Sequence, residues 1–170
     1  MRPLAVDDVV PFESWEAAGR TAIAALHRTV GLDVWMLTHV VGDQQVVLHA
    51  HPADIVPAGT AVPWDRSFCR KMATGEAPRV ATVAAAVPAY RDLMTGQPVR
   101  VAAYVGVPLV TRDHAVFGTL CGTSARAQPR SLARHLPLVE LTARLLSSLL
   151  PPGAHPDGAP GTDGHGTLGA

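Results

Sequence analysis

The sequence predicts an α+β domain built around an antiparallel sheet, and three observations carry that prediction. An apolar stripe at spacings of three and four opens the chain over residues 14–30. Two pairs of β-branched runs, within 33–50 and 101–124, are each joined by a turn too short for a parallel crossover, so the paired strands are antiparallel. A second apolar helical pattern occupies residues 137–150.

The first stripe is Trp15, Ala18, Ala22, Leu26 and Val30, with Ser14 as its expected N-cap and Gly31 as its expected end. Asp33–Val41 and Gln45–Ala50 flank Gly42-Asp43 and read as a hairpin. Residues 60–63 form a short extended piece. Asp65 then reads as the N-cap of a helix that carries Phe68, Cys69 and Met72 and stops at Gly75. Arg79–Ala81 is a short strand candidate. The stretch 82–100 reads as irregular with one helical turn around Tyr90–Leu93, because Gly96 and Pro98 interrupt any longer helix. Val101–Val110 and Ala115–Ser124 are apolar at alternate and intervening positions alike, so the sheet needs cover above and below. Gly106 and Gly118 lie inside these strands, where glycine weakens a sheet unless something approaches the backbone closely. The sequence offers no reason for Pro108.

The terminal helix, Pro137–Leu150, carries two stripes. Val139, Ala143, Leu146 and Leu150 form one, and Leu138, Leu141, Leu145 and Leu149 the other. At about 100° per residue they point well over roughly 90° apart. One packs on the domain's own sheet. The other asks for a second surface, and a homodimer through this helix is the expectation, the alternative being a helix sunk deeper into its own domain. Residues 1–11 read as an extension, 12–150 as the folded domain, and 151–170, with six Gly and four Pro, as a disordered tail.

Composition removes several function classes. With 48% hydrophobic and 16% charged residues, the chain has material for a core and too little charge for disorder. Fourteen basic and fourteen acidic residues leave no basic excess, so nucleic acid is not an expected partner. No run of roughly 20 apolar residues marks a membrane span, no signal peptide opens the chain, and two cysteines do not make a disulfide scaffold. A cytoplasmic protein without membrane contact is expected. Thirteen Arg against one Lys, with abundant Ala, Gly and Pro, reads as a GC-rich bacterial coding bias.

Two stretches carry a family resemblance. One is Asp65-Arg66-Ser67-Phe68-Cys69-Arg70-Lys71-Met72; the other is Tyr104-Val105-Gly106-Val107-Pro108-Leu109-Val110, a turn, then Phe117-Gly118-Thr119-Leu120-Cys121. With the order of elements, they resemble the GAF domain, a small-molecule sensing fold related to PAS, in the branch found beside bacterial diguanylate cyclases and sensor kinases. The resemblance covers about residues 12–150. It implies a central antiparallel sheet with the first and last helices on one face and a ligand-cleft segment, here about 82–100, on the other. Residues expected to line that cleft are Phe68, Cys69, Met72, Tyr90, Leu93, Tyr104, Thr119 and Cys121; apolar walls with a few phenol, hydroxyl and thiol groups suit a small, mostly flat ligand. The same side chains read equally as filled core.

Cys69 follows a predicted N-cap between Arg66 and Arg70, surroundings that favour a thiolate. The GAF resemblance brings its helix toward the last strand and so toward Cys121, which makes a reversible disulfide a candidate switch; two inert core cysteines are the alternative. Members that reduce free methionine-R-sulfoxide carry a cysteine just ahead of the Val-Pro-Leu strand, where this chain has Val99-Arg100-Val101-Ala102-Ala103. Bilin-binding members pair Cys with His, but Arg70 follows Cys69 and Gly122 follows Cys121. The Asn-Lys-Phe-Asp-Glu signature of cyclic-nucleotide binders is absent.

His49 and His51 share a strand face, and His39 joins them only if the hairpin slips by one residue. Without a metal-ligand motif, a solvated polar strand face is expected and no metal site. No catalytic elbow, phosphate loop or dinucleotide fingerprint occurs. Acidic Asp7, Asp8, Glu13 and Glu16 are expected to meet Arg126, Arg130, Arg134 and Arg144 if the end helices pack side by side. The expected function is a stand-alone, non-catalytic sensory module that binds a small molecule and signals to a separate output protein. The alternatives are a thiol-based redox sensor or reductase using Cys69 and Cys121, and a ligand-free dimerisation domain.

Overall fold

The computed structural model describes residues 6–155, apart from the side chains of Asp7 and Asp8. Helix α1 (Trp15–Val30) starts where Ser14 Oγ accepts the Ala17 N–H at 3.1 Å, and ends at Gly31 with φ of 86°. Strands β1 (Val34–Val41) and β2 (Gln44–His51) form the expected hairpin about Gly42-Asp43. Then come β3 (Ala61–Pro63), α2 (Phe68–Ala73), β4 (Val80–Ala81), α3 (Pro88–Arg91), β5 (Ala103–Val110), β6 (Val116–Ser124) and α4 (Leu136–Ser148). The six strands make one sheet in the order β3-β2-β1-β6-β5-β4, with every described pairing antiparallel.

Each sheet face carries its own core, which is why the central strands lack a polar side. On one face, α1 and α4 pack over Trp35, Leu37, Val105, Val107, Leu109 and Leu120. Trp15 fastens the two helices together by donating its indole N–H to the carbonyl of Leu146 at 2.9 Å. On the other face, α2, α3 and the loops between them cover Val34, Met36, Tyr104 and Cys121. Along α4, which ends at Ser148 and not Leu150, and the turn after it, the stripe Val139, Ala143, Leu146 and Leu150 is buried, whereas Leu141, Leu145 and Leu149 are 54–56% exposed and Leu138 is 40% exposed. The chain beyond α4 stays on this face: Ala154 packs against the core, and the His155 carbonyl accepts His39 Nε2–H at 3.0 Å. Of the tail 151–170 expected to be disordered, residues 151–155 are the part described, and 156–170 lie outside the described residues.

Several local expectations are corrected. Trp64–Arg66 is a separate 3₁₀ turn, and Ser67, not Asp65, caps α2, accepting the Arg70 N–H at 3.0 Å. A bulge in the β1–β2 ladder pairs Leu37 with His49 but Thr38 with Val47. The slip puts His39, His49 and His51 on the helix face without bringing them together. His51 meets His27 edge-on at 5.1 Å, while His39 stacks on Phe117 at 4.1 Å. Among the described residues no three His, Cys, Asp or Glu side chains cluster as metal ligands. Among the described residues, Glu13 and Glu16 form no ion pair with Arg126, Arg130, Arg134 or Arg144. Asp7 and Asp8 have undescribed side chains, and the described ion pairs are Arg70–Glu76, Lys71–Glu76 and Arg79–Glu140, none between the two expected groups.

Pro108 now has a reason. The Gly106 N–H bonds the Arg79 carbonyl at 2.8 Å, but β4 ends there, so the next outward position on β5 has no strand beside it. Pro108 places a residue without a donor at that bare edge, and two residues on the Val110 N–H is taken by Ser147 Oγ of α4 at 3.0 Å.

Candidate functional site

Alternation along the strands decides what faces the second core. Met36 and Thr38 of β1, Gln45 and Val47 of β2, Tyr104 of β5, and Thr119, Cys121 and Thr123 of β6 form the floor. Gly106 exists for one of them: a Cβ there would overlap the Tyr104 hydroxyl, so the glycine lets the phenol lie along its own strand. Gly118 has a different reason, the Thr38 carbonyl of the neighbouring strand. The cover is Phe68 and Cys69 of α2 with the loop Gln97–Val101.

Between floor and cover lies a cavity of about 50 Å³. It touches Phe68, Cys69, Tyr104 and Cys121 of the expected set, but not Met72, Tyr90, Leu93 or Thr119. Those four are nonetheless buried in the same cluster or beneath it, and Phe68, Tyr90 and Tyr104 form an aromatic triad with centroids 4.7–5.6 Å apart. Sequence reasoning missed Met36, Thr38 and Gln45, while of the expected cleft segment 82–100 it is Gln97–Val99 that borders the cavity. The first three follow from taking alternate residues of the hairpin once β6 is known to lie beside it. The cavity shares Val99 and Thr123 with an open hollow of about 560 Å³ lined also by His27, Asp33 and Arg100. Pro98 at the junction is exposed.

The polar side chains on the floor form a directed chain. Gln45 Nε2 donates to Thr38 Oγ1 at 3.0 Å, Thr38 Oγ1 and Thr119 Oγ1 lie 2.6 Å apart, and Thr119 Oγ1 donates to Cys69 Sγ at 3.2 Å. A hydroxyl has one proton, so with that of Thr119 given to sulfur the short bond takes Thr38 as its donor, while Gln45 Nε2 also reaches Thr119 Oγ1 at 3.4 Å. Tyr104 donates to the same sulfur at 3.3 Å, and the Cys121 sulfur lies 4.0 Å from Thr119 Oγ1. No described buried side-chain N or O atom lacks a partner.

This pattern sets the titration of the pair. The hydrogen bond from Cys121 outweighs burial, and with Thr119, Tyr104 and Gln45 it draws Cys69 down to about 7. Cys121 moves the opposite way, held as a thiol by its bond to Cys69, by burial and by the neighbouring charge. The anion belongs on Cys69 because the donors converge there, while Cys121 receives Thr119 only at 4.0 Å. Burial and the charge on Cys69 raise Tyr104 and Tyr90, which stay protonated donors. Arg66 and Arg70 play no part in this, contrary to the sequence-based expectation; Arg70 turns outward to Glu76.

The comparisons agree on one family. The GAF-domain profile matches residues 14–150. The fold is similar to the GAF domain of a phosphoenolpyruvate-protein phosphotransferase from Coxiella burnetii (TM-score 0.65, 14% identity, 85% of this chain and 86% of that one). It is similar also to the GAF domain of the Acinetobacter phosphoenolpyruvate-protein phosphotransferase (0.63, 15%, 85% and 84%). A third relative by fold is the GAF-B domain of DevS from Mycobacterium smegmatis (0.57, 16%, 80% and 94%). No curated protein matches by sequence. The fold is shared with these structures, and with the profile spanning residues 14–150 the chain belongs to the GAF domain family of regulatory and sensory modules.

Proposed function

We propose that this GAF domain is a non-catalytic sensor whose input is a small, uncharged molecule admitted between the sheet and the α2–α3 cover, and whose response passes to a separate output protein. The observation that carries the reading is the cavity at Cys69: every polar floor group around it is neutral in its side-chain type, and no Lys, Arg, Asp or Glu lines it. Ordinary ligand pockets measure about 300–1,000 Å³. At about 50 Å³ the space suits a molecule the size of one or two waters unless the Gln97–Val101 segment moves. The same small volume supports the competing reading, a pairing domain with a filled interior. On the opposite face, Leu145 and Leu149 with Phe12 border an apolar hollow of about 350 Å³ between α1 and α4, and Leu141 is exposed on the same stripe. That face supports the proposed homodimer, since an exposed contiguous apolar patch is what a two-fold pair of helices covers.

Native mass spectrometry of the gently purified chain, with an absorbance spectrum, tests the reading. A retained small molecule, lost in a variant that fills the cavity such as Val47→Phe, is the expected result. A ligand-free dimer that no small-molecule panel stabilises against heat would favour the filled pairing domain instead.

A further inference from the structure

We propose that Cys69 is a modification site for hydroperoxides, oxidised in the cavity to a sulfenic acid and then resolved by Cys121 into an intramolecular disulfide. The inference deepens the sensory reading and rests on it in one respect, that this cavity is the input site. The carrying observation is geometric. A buried sulfur that receives Thr119 and Tyr104 hydroxyls at 3.2 and 3.3 Å is surrounded as an anion is, not as an inert core thiol is. A second cysteine beside the same hydroxyl, its sulfur 4.0 Å from Thr119 Oγ1, is placed as a sulfenic acid needs in order to be resolved.

The chemistry balances within the site. The Cys69 thiolate attacks one peroxide oxygen; an S–O bond forms, the O–O bond breaks, and the leaving alkoxide or hydroxide takes a proton from solvent. Sulfur is oxidised and the peroxide reduced to alcohol or water. Neutral sulfenic acid no longer bears the negative charge that, with the hydrogen bond and burial, keeps Cys121 protonated, so Cys121 is freed to act. Its sulfur attacks Cys69 Sγ, the S–S bond forms, the S–O bond breaks, and the departing hydroxide leaves as water with the Cys121 proton. An external thiol reductant reverses the change. Hydrogen peroxide is close to two water molecules in size and uncharged, which matches a cavity of about 50 Å³ whose outer wall is Gln97, Pro98 and Val99. Larger hydroperoxides need that wall to open.

The test uses the full chain, fully reduced, exposed to near-stoichiometric hydrogen peroxide and followed by intact mass and peptide mapping. Wild type is expected to lose two hydrogens and form the Cys69–Cys121 link faster than free cysteine is consumed in the same tube. Cys121→Ser should gain one oxygen and be captured at Cys69 by a cyclic dione that traps sulfenic acids. Cys69→Ser should stay unmodified. Tyr104→Phe should slow the first step several-fold while the protein remains folded by thermal melting, a readout that does not depend on either cysteine variant folding. Both thiols remaining reduced while free cysteine is consumed would overturn the proposal, and would leave the sensory reading standing if a ligand still stabilises the domain. A disulfide that forms without changing self-association or binding of any output partner supports the chemistry and counts against the sensory reading.

Discussion

Thr119→Val removes one hydroxyl at nearly constant volume, and its effect can be worked from the distances. Cys69, drawn down to about 7, is half ionised near neutrality. Thr119 is both a direct donor at 3.2 Å and the only link by which Thr38, 2.6 Å behind it, is directed at the sulfur. A hydrogen bond to a charged group contributes about 1.5–3 kcal/mol, and about 1.4 kcal/mol corresponds to one pKa unit. The variant should therefore raise Cys69 by about one to two units, back toward an ordinary thiol. Tyr104→Phe removes a donor at 3.3 Å with nothing behind it and should raise Cys69 by about one unit. The assay is thiolate ultraviolet absorbance against pH, checked by the pH dependence of alkylation under native conditions. Cys121, held protonated, should not titrate in the same range. An unmoved midpoint in Thr119→Val, or a midpoint that survives in Cys69→Ser, would refute the assignment of the anion to Cys69.

Further outcomes follow from the same contacts. Because Cys69 is depressed from 9.0 to about 7, the unfolded chain binds more protons between those values, so stability should rise from pH 7 to 9 by about 2–3 kcal/mol at most. Above that window the raised Cys121, Tyr90 and Tyr104 reverse the trend, since each favours folding only while protonated; denaturant melts across pH check this, and Cys69→Ser should flatten the rise. Gly106→Ala puts a methyl where the Tyr104 hydroxyl lies, and should cost about 1–3 kcal/mol in melts while also raising Cys69 in the thiolate assay. Leu145→Glu, on the exposed stripe of α4, should lower self-association in analytical ultracentrifugation with a stability change of about 0.5 kcal/mol or less per monomer. Trp15→Phe keeps the ring against Phe117 but loses the 2.9 Å bond to the Leu146 carbonyl, and should destabilise by about 1–3 kcal/mol.

What the sequence made readable was whatever repeats at short range. The stripes of α1 and α4, the Gly42-Asp43 hairpin and the two doubly covered strands all announce themselves within a window of about one element. The exposed second stripe of α4 was legible for the same reason. Irregularities were not. The bulge opposite Leu37 and Thr38 shifts the remainder of β2 by one residue, and only the neighbouring strand reveals it. Ser67 was hidden as a cap behind Asp65 because both are good cap residues two positions apart. The site was half legible. The resemblance brings Cys69 toward Cys121, but nothing local marks Gln45 and Thr38 as part of their polar surroundings, and the lowering of Cys69 comes from Cys121, Thr119, Tyr104 and Gln45 rather than from adjacent arginines.

Strand β5 is a wall common to two rooms. Tyr104 faces the thiols on one side, while Val105, Val107 and Leu109 press against the α1–α4 layer on the other. The Val110 N–H is bolted to Ser147 of α4, and Glu140 of the same helix holds Arg79 beside β4. Close-packed interiors pass on small displacements instead of absorbing them. A tilt of the Tyr104 phenol thus has one backbone to cross before it reaches the leucine-bearing helix, with no hinge or linker in between. The path from the thiols to the outer surface is as short as a sheet allows, a single strand thick.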